Sequence, residues 1–259
     1  YGLRNRGLSR DAVRERVAGL LRLVGLPGHE GRRVQTLSGG EQQRVAMARS
    51  LAVDPLVLML DAPFSSIDSV LRRGLREEVV RLQKEVGITT LFITHDREEA
   101  FSVADRVILL RDGRIVQAGP PDELYERPVD RFTASFVGGA NFLTGILVSR
   151  DGAEAVLRSG AADFRVADPS GLPGDTGGGE VTVMVRADRL RFAAGPGVNT
   201  VNARIGGRRY YGHYWEYLCE TGHGTLSVYD RTRRENGTPC LIAFAPGDAV
   251  VVESGGESR

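Results

Sequence analysis

The chain of 259 residues carries 34 Lys and Arg against 33 Asp and Glu, a formal net charge of +1, and 41% of its residues are hydrophobic. That length suffices for two domains with full cores, and the charge balance excludes the global basic field that drives nonspecific nucleic-acid binding. The longest apolar run, Leu56 to Leu60 with its continuation past Asp61, falls far short of the roughly 18 residues of a membrane span, so the chain is not itself a pore.

In chain order, Val13, Val17, Leu20, Leu21 and Val24 recur at helical spacing behind Ser9, which predicts an amphipathic helix with a serine N-cap. Ser38 and Glu41 have the S-x-x-E spacing of a capping box, which predicts a second helix through Val45, Ala48, Leu51 and Ala52 that stops before Pro55. Leu56 to Leu60 predicts a strand buried on both faces of a parallel sheet, with Asp61 at its C-terminal end. A helix through Leu71, Leu75, Val79, Leu82 and Val86 leads to a second buried strand over 88–94 that ends in His95 and Asp96. Ligand chemistry in open α/β sheets collects at such strand ends.

Val107 to Leu110 and Arg114 to Gln117 flank Asp112-Gly113, a hairpin signal, and Pro120-Pro121 breaks the pattern before two short helices over 122–125 and 130–137. Gly138-Gly139 suggests a domain boundary. Beyond Asn141 the texture changes to short β-prone runs (181–185, 225–229, 241–244), which predicts a small β-barrel or sandwich, with 169–179 a Gly/Pro-rich loop. Cys219 and Cys240 lack metal-ligand spacing, and no basic-then-apolar leader opens the sequence, so reduced thiols in the cytosol are expected rather than a disulfide.

Leu37-Ser38-Gly39-Gly40-Glu41-Gln42-Gln43-Arg44-Val45 resembles the signature motif of ABC ATPases, and Leu58-Met59-Leu60-Asp61 resembles their Walker B strand. Pro63-Phe64-Ser65-Ser66-Ile67-Asp68 is similar to the D-loop, and Ile93-Thr94-His95-Asp96 to the switch region. A capped helix start alone would explain S-G-G-E, and a lone histidine is usually structural; the order and spacing of all four segments is what favours the family. The resemblance implies that Ser38, Gly39, Gly40 and Glu41 serve a nucleotide on the opposite subunit of a dimer. It further implies that Asp61 holds Mg²⁺, that Asp68 is the acidic member of the D-loop, and that His95 contacts the γ-phosphate. The physical need at the signature is a helix N-terminus whose glycines admit a phosphate close to backbone N–H groups.

Two departures stand beside the matches. No G-x-x-x-x-G-K-[S/T] occurs in the sequence, and the first residue is Tyr1 rather than methionine, so the expectation is an N-terminally truncated ATPase domain that starts midway through its helical part. Ala62 occupies the place after the Walker B aspartate where the family carries the glutamate that orients or deprotonates the attacking water. Loss of a general base typically removes roughly a hundred- to ten-thousand-fold of rate, so slow hydrolysis is expected at this site.

The segment over 119–128, then Phe136-Val137-Gly138 and Asn141-Phe142-Leu143, resembles the junction between ATPase and TOBE domain in importers of sugars, polyamines, ferric iron or sulfate. Val183-Met184-Val185-Arg186-Ala187-Asp188 resembles a TOBE strand that normally reads V-R-P-E. The expected fold is therefore α/β: a partial P-loop NTPase-type ABC ATPase domain over 1–138, then a small OB-like TOBE β-barrel over 139–259. The tyrosines and Trp215 over 210–217 are expected to be partly core rather than a base-stacking platform, and Arg208 with Arg209 are too few for a nucleic-acid groove.

The resemblance implies the ATP-binding and ATP-hydrolysing motor subunit of an ABC importer of a small solute, with ATP and Mg²⁺ as cofactors. Its implied partners are a second ATP-binding subunit, transmembrane permease subunits and, indirectly, a solute-binding protein. Its implied place is cytoplasmic, peripheral on the inner face of the cell membrane. The chain alone is expected to be inactive. The alternative is a non-catalytic regulatory partner that supplies its signature motif in trans and senses a ligand through the TOBE-like domain. A soluble ABC ATPase working on DNA or ribosomes is disfavoured by the tail.

Overall fold

The computed structural model describes residues 2–65, 69–167, 172 and 179–252, and by contact the chain divides into Tyr1–Asp105 and Arg106–Arg259. The loop expected over 169–179 lies almost wholly outside the described residues. No described helix is long and apolar enough to cross a membrane.

In the first unit, α1 (Gly2–Asn5) and α2 (Arg10–Leu23) precede α3 (Gly39–Leu51), β1 (Val57–Asp61), α4 (Ser69–Val86), β2 (Thr89–Ile93) and α5 (Arg97–Val103). The local signals act as the sequence predicts. The Ser9 hydroxyl accepts from the Ala12 amide at the start of α2, and α3 opens on a capping box. Strands β1 and β2 pair in parallel, Val57 opposite Thr89 through Asp61 opposite Ile93. Leu20, Leu21 and Val24 behind α2, Met47, Ala48 and Leu51 of α3, Leu58 and Leu60 of β1, and Val79 and Leu82 of α4 form one buried core.

The expectation of strands buried on both faces is corrected here. Burial alternates along β1: Leu58 and Leu60 are buried, whereas Val57 is 50%, Met59 66% and neighbouring Leu56 91% exposed. Leu91 and Ile93 of β2 are exposed on the same alternation. Side chains of a strand point to opposite faces in turn, and the helical side chains of this unit that share the core meet Leu58 and Leu60 on one face only.

The second unit opens with the predicted hairpin, β3 (Val107–Arg111) and β4 (Arg114–Gly119). Asp112 and Gly113 between them have φ of 51° and 74°, the positive pair that a two-residue turn of matching twist requires. Two short helices follow, α6 (Pro121–Glu126) and α7 (Arg131–Val137), the latter capped by Asp130. Then come β5 (Ala140–Asp151), β6 (Glu154–Ser159), β7 (Ala162–Val166), β8 (Glu180–Arg186) and β9 (Arg191–Ala193). The rest are β10 (Thr200–Tyr210), β11 (Trp215–Thr221), β12 (Gly224–Asp230), β13 (Pro239–Ala243) and β14 (Ala249–Val252).

These strands form two five-stranded sheets, β14-β8-β5-β6-β7 and β12-β11-β10-β13-β9, and every strand pairing in them is antiparallel. Leu143, Leu157, Phe164 and Val183 from the first and Ile205, Tyr217, Val228 and Ile242 from the second share one core. Two buried asparagines stitch the sheets together where no strand ladder does. The Asn141 amide donates to Ser227 O (2.9 Å) and accepts from Ser227 N (2.6 Å), joining β5 to β12. Asn199, in the left-handed region at φ 51°, does the same to Arg165 of β7, at 2.8 and 2.7 Å. Each side-chain amide thus stands in for a backbone peptide, with one donor and one acceptor. Arg186, fully buried, donates to the carbonyls of Tyr125, Ala134 and Gly138 and lies 4.3 Å from the Tyr125 ring, so β8 holds both short helices.

Cys219 of β11 and Cys240 of β13 flank β10, opposite Ile205 and Ala203 respectively. Both thiols are free, and they face each other across β10 closely enough to hydrogen-bond. Burial pushes the Cys219 thiol up to about 12. Two expectations follow. Thiol titration of air-exposed protein in denaturant should return two free thiols per chain, where none would mean that the two facing thiols had been oxidised to a bridge. In urea unfolding followed through Trp215, the single tryptophan, Asn141→Ala should cost about 3 kcal/mol, because buried Ser227 N–H and C=O lose their partners.

Candidate functional site

The predicted site residues fall in two places within the first unit. One is the turn that opens α3. Ser38 is extended (φ −63°, ψ 159°), its hydroxyl accepts from the Glu41 amide at 3.3 Å, and its own amide donates to Glu41 Oε2 at 2.8 Å. The Ser38 hydroxyl in turn donates to the same Oε2, at 3.0 Å. Two orphan donors of the helix end are thereby satisfied reciprocally. Glu41 is held below the ordinary carboxylate value, first by the Ser38 backbone hydrogen bond and then by the Ser38 hydroxyl, with His29 and Arg44 adding attraction.

The two glycines of this turn are not demanded by packing. A Cβ on Gly39 would meet nothing within 4 Å, and one on Gly40 would make ordinary contact with Leu75 at 3.5 Å. Neither has a positive φ. Glycine is among the least favourable residues in a helix, so two in succession at its start call for a reason outside this chain's own contacts. Behind the turn, Arg44 lies 3.4 Å from Glu78 of α4, and Arg81 of α4 donates to Leu23 O at 2.9 Å, which ties α3 and the end of α2 to α4.

The other place is the C-terminal end of the β1–β2 pair. Asp61 is exposed at the last position of β1. The Ala62 amide then continues the ladder by donating to Ile93 O at 2.9 Å, with φ 41° at Ala62 itself. A left-handed alanine is strained by roughly 1–2 kcal/mol, so the chain turns here against its own preference. Phe64 is fully buried and packs on Phe92 at 5.6 Å, which fixes the turn after Ala62. Asp68 lies outside the described residues.

His95 is exposed two residues past Ile93, so the pairing brings the ends that carry Asp61 and His95 side by side. Among the described residues, no hydrogen bond or ion pair joins the Ser38 to Glu41 turn to Asp61 or His95. Nor do three or more His, Cys, Asp or Glu side chains converge as a metal cage among them.

Glu99, Arg72 and His29, which have no place in the four motifs, support both sites. Glu99, buried, accepts from the Thr94 hydroxyl at 2.5 Å, and the same hydroxyl accepts from the Asp96 amide at 3.0 Å. The Asp96 carboxylate caps α5 by accepting from the amides of Glu98 and Glu99, and lies 3.6 Å from Arg72 of α4. His95 is thus bracketed by fixed neighbours. A sequence signal for this exists: Thr94 and Asp96 ahead of Glu98-Glu99 carry the same capping grammar as Ser38 ahead of Glu41. His29, whose Nε2 lies 3.9 Å from Glu41 Oε1, has no such local signal, being twelve residues away from its partner.

The capping box makes a measurable pH prediction. A carboxyl whose folded value is depressed contributes stability that is complete above its ordinary value, 4.5, and is lost as pH falls through the lowered one. Amide exchange of Glu41 and Gln42 should therefore lose protection, relative to Glu41→Gln, as pH falls below 4.5. Ser38→Ala should cost about 1 kcal/mol of helix stability at neutral pH, roughly a fivefold faster exchange at these amides. Unchanged exchange would mean that the box does not hold in solution.

Comparison with known proteins gives the lineage. Residues 3–65 match the ABC transporter family and residues 183–254 the TOBE domain. The chain is 40% identical over 240 residues to the Fe(3+) ions import ATP-binding protein FbpC of Rhizobium etli, covering 92% of this chain and 66% of that protein. It is 39% identical over 255 residues to the spermidine/putrescine import ATP-binding protein PotA 1 of Pseudomonas aeruginosa, covering 96% and 67%. It is 40% identical over 255 residues to FbpC of Agrobacterium fabrum, covering 97% and 70%. Among solved structures, cbiO1 of Clostridium perfringens, part of the cbiONQ complex, aligns at a TM-score of 0.43 with 32% identity over 50% of this chain and 49% of that one. The chain spans about two thirds of the length of the curated relatives it matches. By these matches it belongs to the family of ABC importer ATP-binding subunits.

Proposed function

We propose that the chain acts within the ATP-driven motor of an ABC transporter that imports a small solute, with 1–138 as part of the ATPase domain and 139–259 as the TOBE domain. The observation that carries this is the α3 turn: two glycines without an internal reason at the N-terminus of a capped helix, where N–H groups and the helix dipole favour a phosphate. In this reading Ser38, Gly39, Gly40 and Glu41 present that turn to ATP bound by a second subunit, and Asp68 belongs to the loop that links the two nucleotide sites. His95 meets the γ-phosphate from the strand end. Asp61 offers one hard carboxylate, which fits Mg²⁺, an ion held by one or two carboxylates together with substrate phosphates. Held by Asp61, such an ion would supply neutralisation of the charge that develops on the phosphates.

No G-x-x-x-x-G-K-[S/T] occurs within residues 1–259, and in this reading the phosphate-binding loop is supplied from outside them. Ala62 has neither a proton acceptor nor a hydrogen bond to offer water, which makes hydrolysis at its own site slow. The partners in this reading are a second ATP-binding subunit, permease subunits and, through them, a solute-binding protein. The chain then sits on the cytoplasmic face of the membrane.

A second reading is favoured specifically by Ala62: a non-catalytic partner that lends its signature turn in trans to a complete ATPase. Mixing the chain with an intact related subunit separates the two. The regulatory reading expects ATPase activity above that of the intact subunit alone, and the motor reading expects none until the loop is supplied. In a longer form carrying the loop, Ala62→Glu should raise turnover at least about tenfold by restoring the base. An unchanged rate there would mean that another residue orients the water.

A further inference from the structure

Glu41 carries more than its capping role. Its Oε2 takes both the Ser38 amide and the Ser38 hydroxyl, while its Oε1 faces His29 Nε2 at 3.9 Å. The other ring nitrogen, Nδ1, lies 3.1 Å from Pro27 O. A carbonyl only accepts, so Nδ1 carries the hydrogen, and in the neutral ring Nε2 then turns a lone pair toward a carboxylate. Only the imidazolium makes that approach favourable. His29 and Glu41 are both largely shielded, with side-chain exposures of 20% and 28%.

We propose that His29 is a positioning residue of the signature turn, acting through Glu41 on the proton of the Ser38 hydroxyl. The inference rests on the reading of that turn as a phosphate-facing element. With His29 neutral, the negative charge of Glu41 is spent on Ser38, whose hydroxyl proton points into the capping box and away from any ligand. With His29 protonated, Nε2–H draws on Oε1, Oε2 holds the hydroxyl less firmly, and the proton becomes available to an incoming phosphate oxygen. The one bond made is Nε2–H on His29, with its proton taken from water; the Ser38 hydroxyl keeps its own proton and only turns it. The other charged groups in reach are Arg44, which also attracts the Glu41 carboxylate from α3, and Glu78 of α4, which is paired with Arg44 at 3.4 Å.

The test uses the whole chain and needs no nucleotide. Amide resonances of Gly39, Gly40 and Glu41 are followed across about pH 5 to 8, where unperturbed side chains other than histidine do not titrate. They should move together with the His29 ring in the wild-type chain, and lie flat in His29→Gln. In Glu41→Gln the His29 ring should still titrate while the three amides lie flat. Amides that move equally in His29→Gln, or that are flat in the wild type, overturn the proposal; His29→Asn, which is smaller, repeats the measurement should the first variant unfold.

A second arm follows the pH profile of ATPase activity in the mixture with an intact subunit. Where the chain supports activity, His29→Gln should change the ratio of rates at about pH 6 and pH 8 at least about twofold. A profile identical to wild type overturns the positioning role and leaves the phosphate reading standing. Titrating amides in a chain that supports no activity, even with the loop supplied, keep the His29 to Glu41 link and overturn the phosphate reading instead.

Discussion

The functional end of the first unit depends on one parallel pairing, β1 against β2 in the register that sets Asp61 opposite Ile93. Parallel ladders fix which strand ends lie together, and here the ladder runs one residue past the strand through the Ala62 amide to Ile93 O. That bond forces the turn, puts Ala62 at positive φ, and leaves Asp61 as the last outward side chain ahead of it. A shift of one residue would send Leu58 and Leu60 out of the core and Met59 into it, so the apolar pattern of the strand protects the position of the aspartate. The position of His95 is inherited from the same register.

The α3 turn obeys a different logic, in which local sequence is enough. Ser38 and Glu41 satisfy one another over three residues, and the glycines between them leave the helix end open. Nothing tertiary is needed to build it, which is why the spacing of four residues suffices to read it. His29 has no such spacing to give it away. It is brought against Glu41 by the path of the chain after α2, where Leu26 N bonds to Leu21 O and Arg32 N to His29 O. A local motif announces itself; its regulator from outside the motif does not.

The same division explains the other successes and misses. Caps, the Asp112-Gly113 hairpin and the short helices around Leu124 and Ala134 are readable because each is decided by a few adjacent residues. The apolar runs of β1 and β2 point to burial on both sides, yet a continuous apolar run carries no information on how many layers cover it. Only packing shows that Val57, Met59 and Leu91 lie on the face opposite Leu58 and Leu60. The tyrosine-rich hairpin is half legible: Tyr217 within β11 is in the core, whereas Tyr210 at the end of β10 and Tyr211 just beyond it are exposed.

In the second unit the least legible residues are the most telling. Asn141 and Asn199 look like ordinary turn formers in a sequence, yet both are buried and each bonds both peptide groups of a residue in the opposite sheet. A buried side-chain amide is costly unless all its partners are met, so two such pairs fix the relation of the sheets more strictly than apolar contact would. Apolar packing between Leu143, Phe164, Tyr217 and Val228 tolerates sliding by a fraction of a side chain, whereas a bidentate pair at 2.6 to 2.9 Å does not. The core supplies the driving force for the two sheets to meet; the asparagines decide the one alignment in which they do.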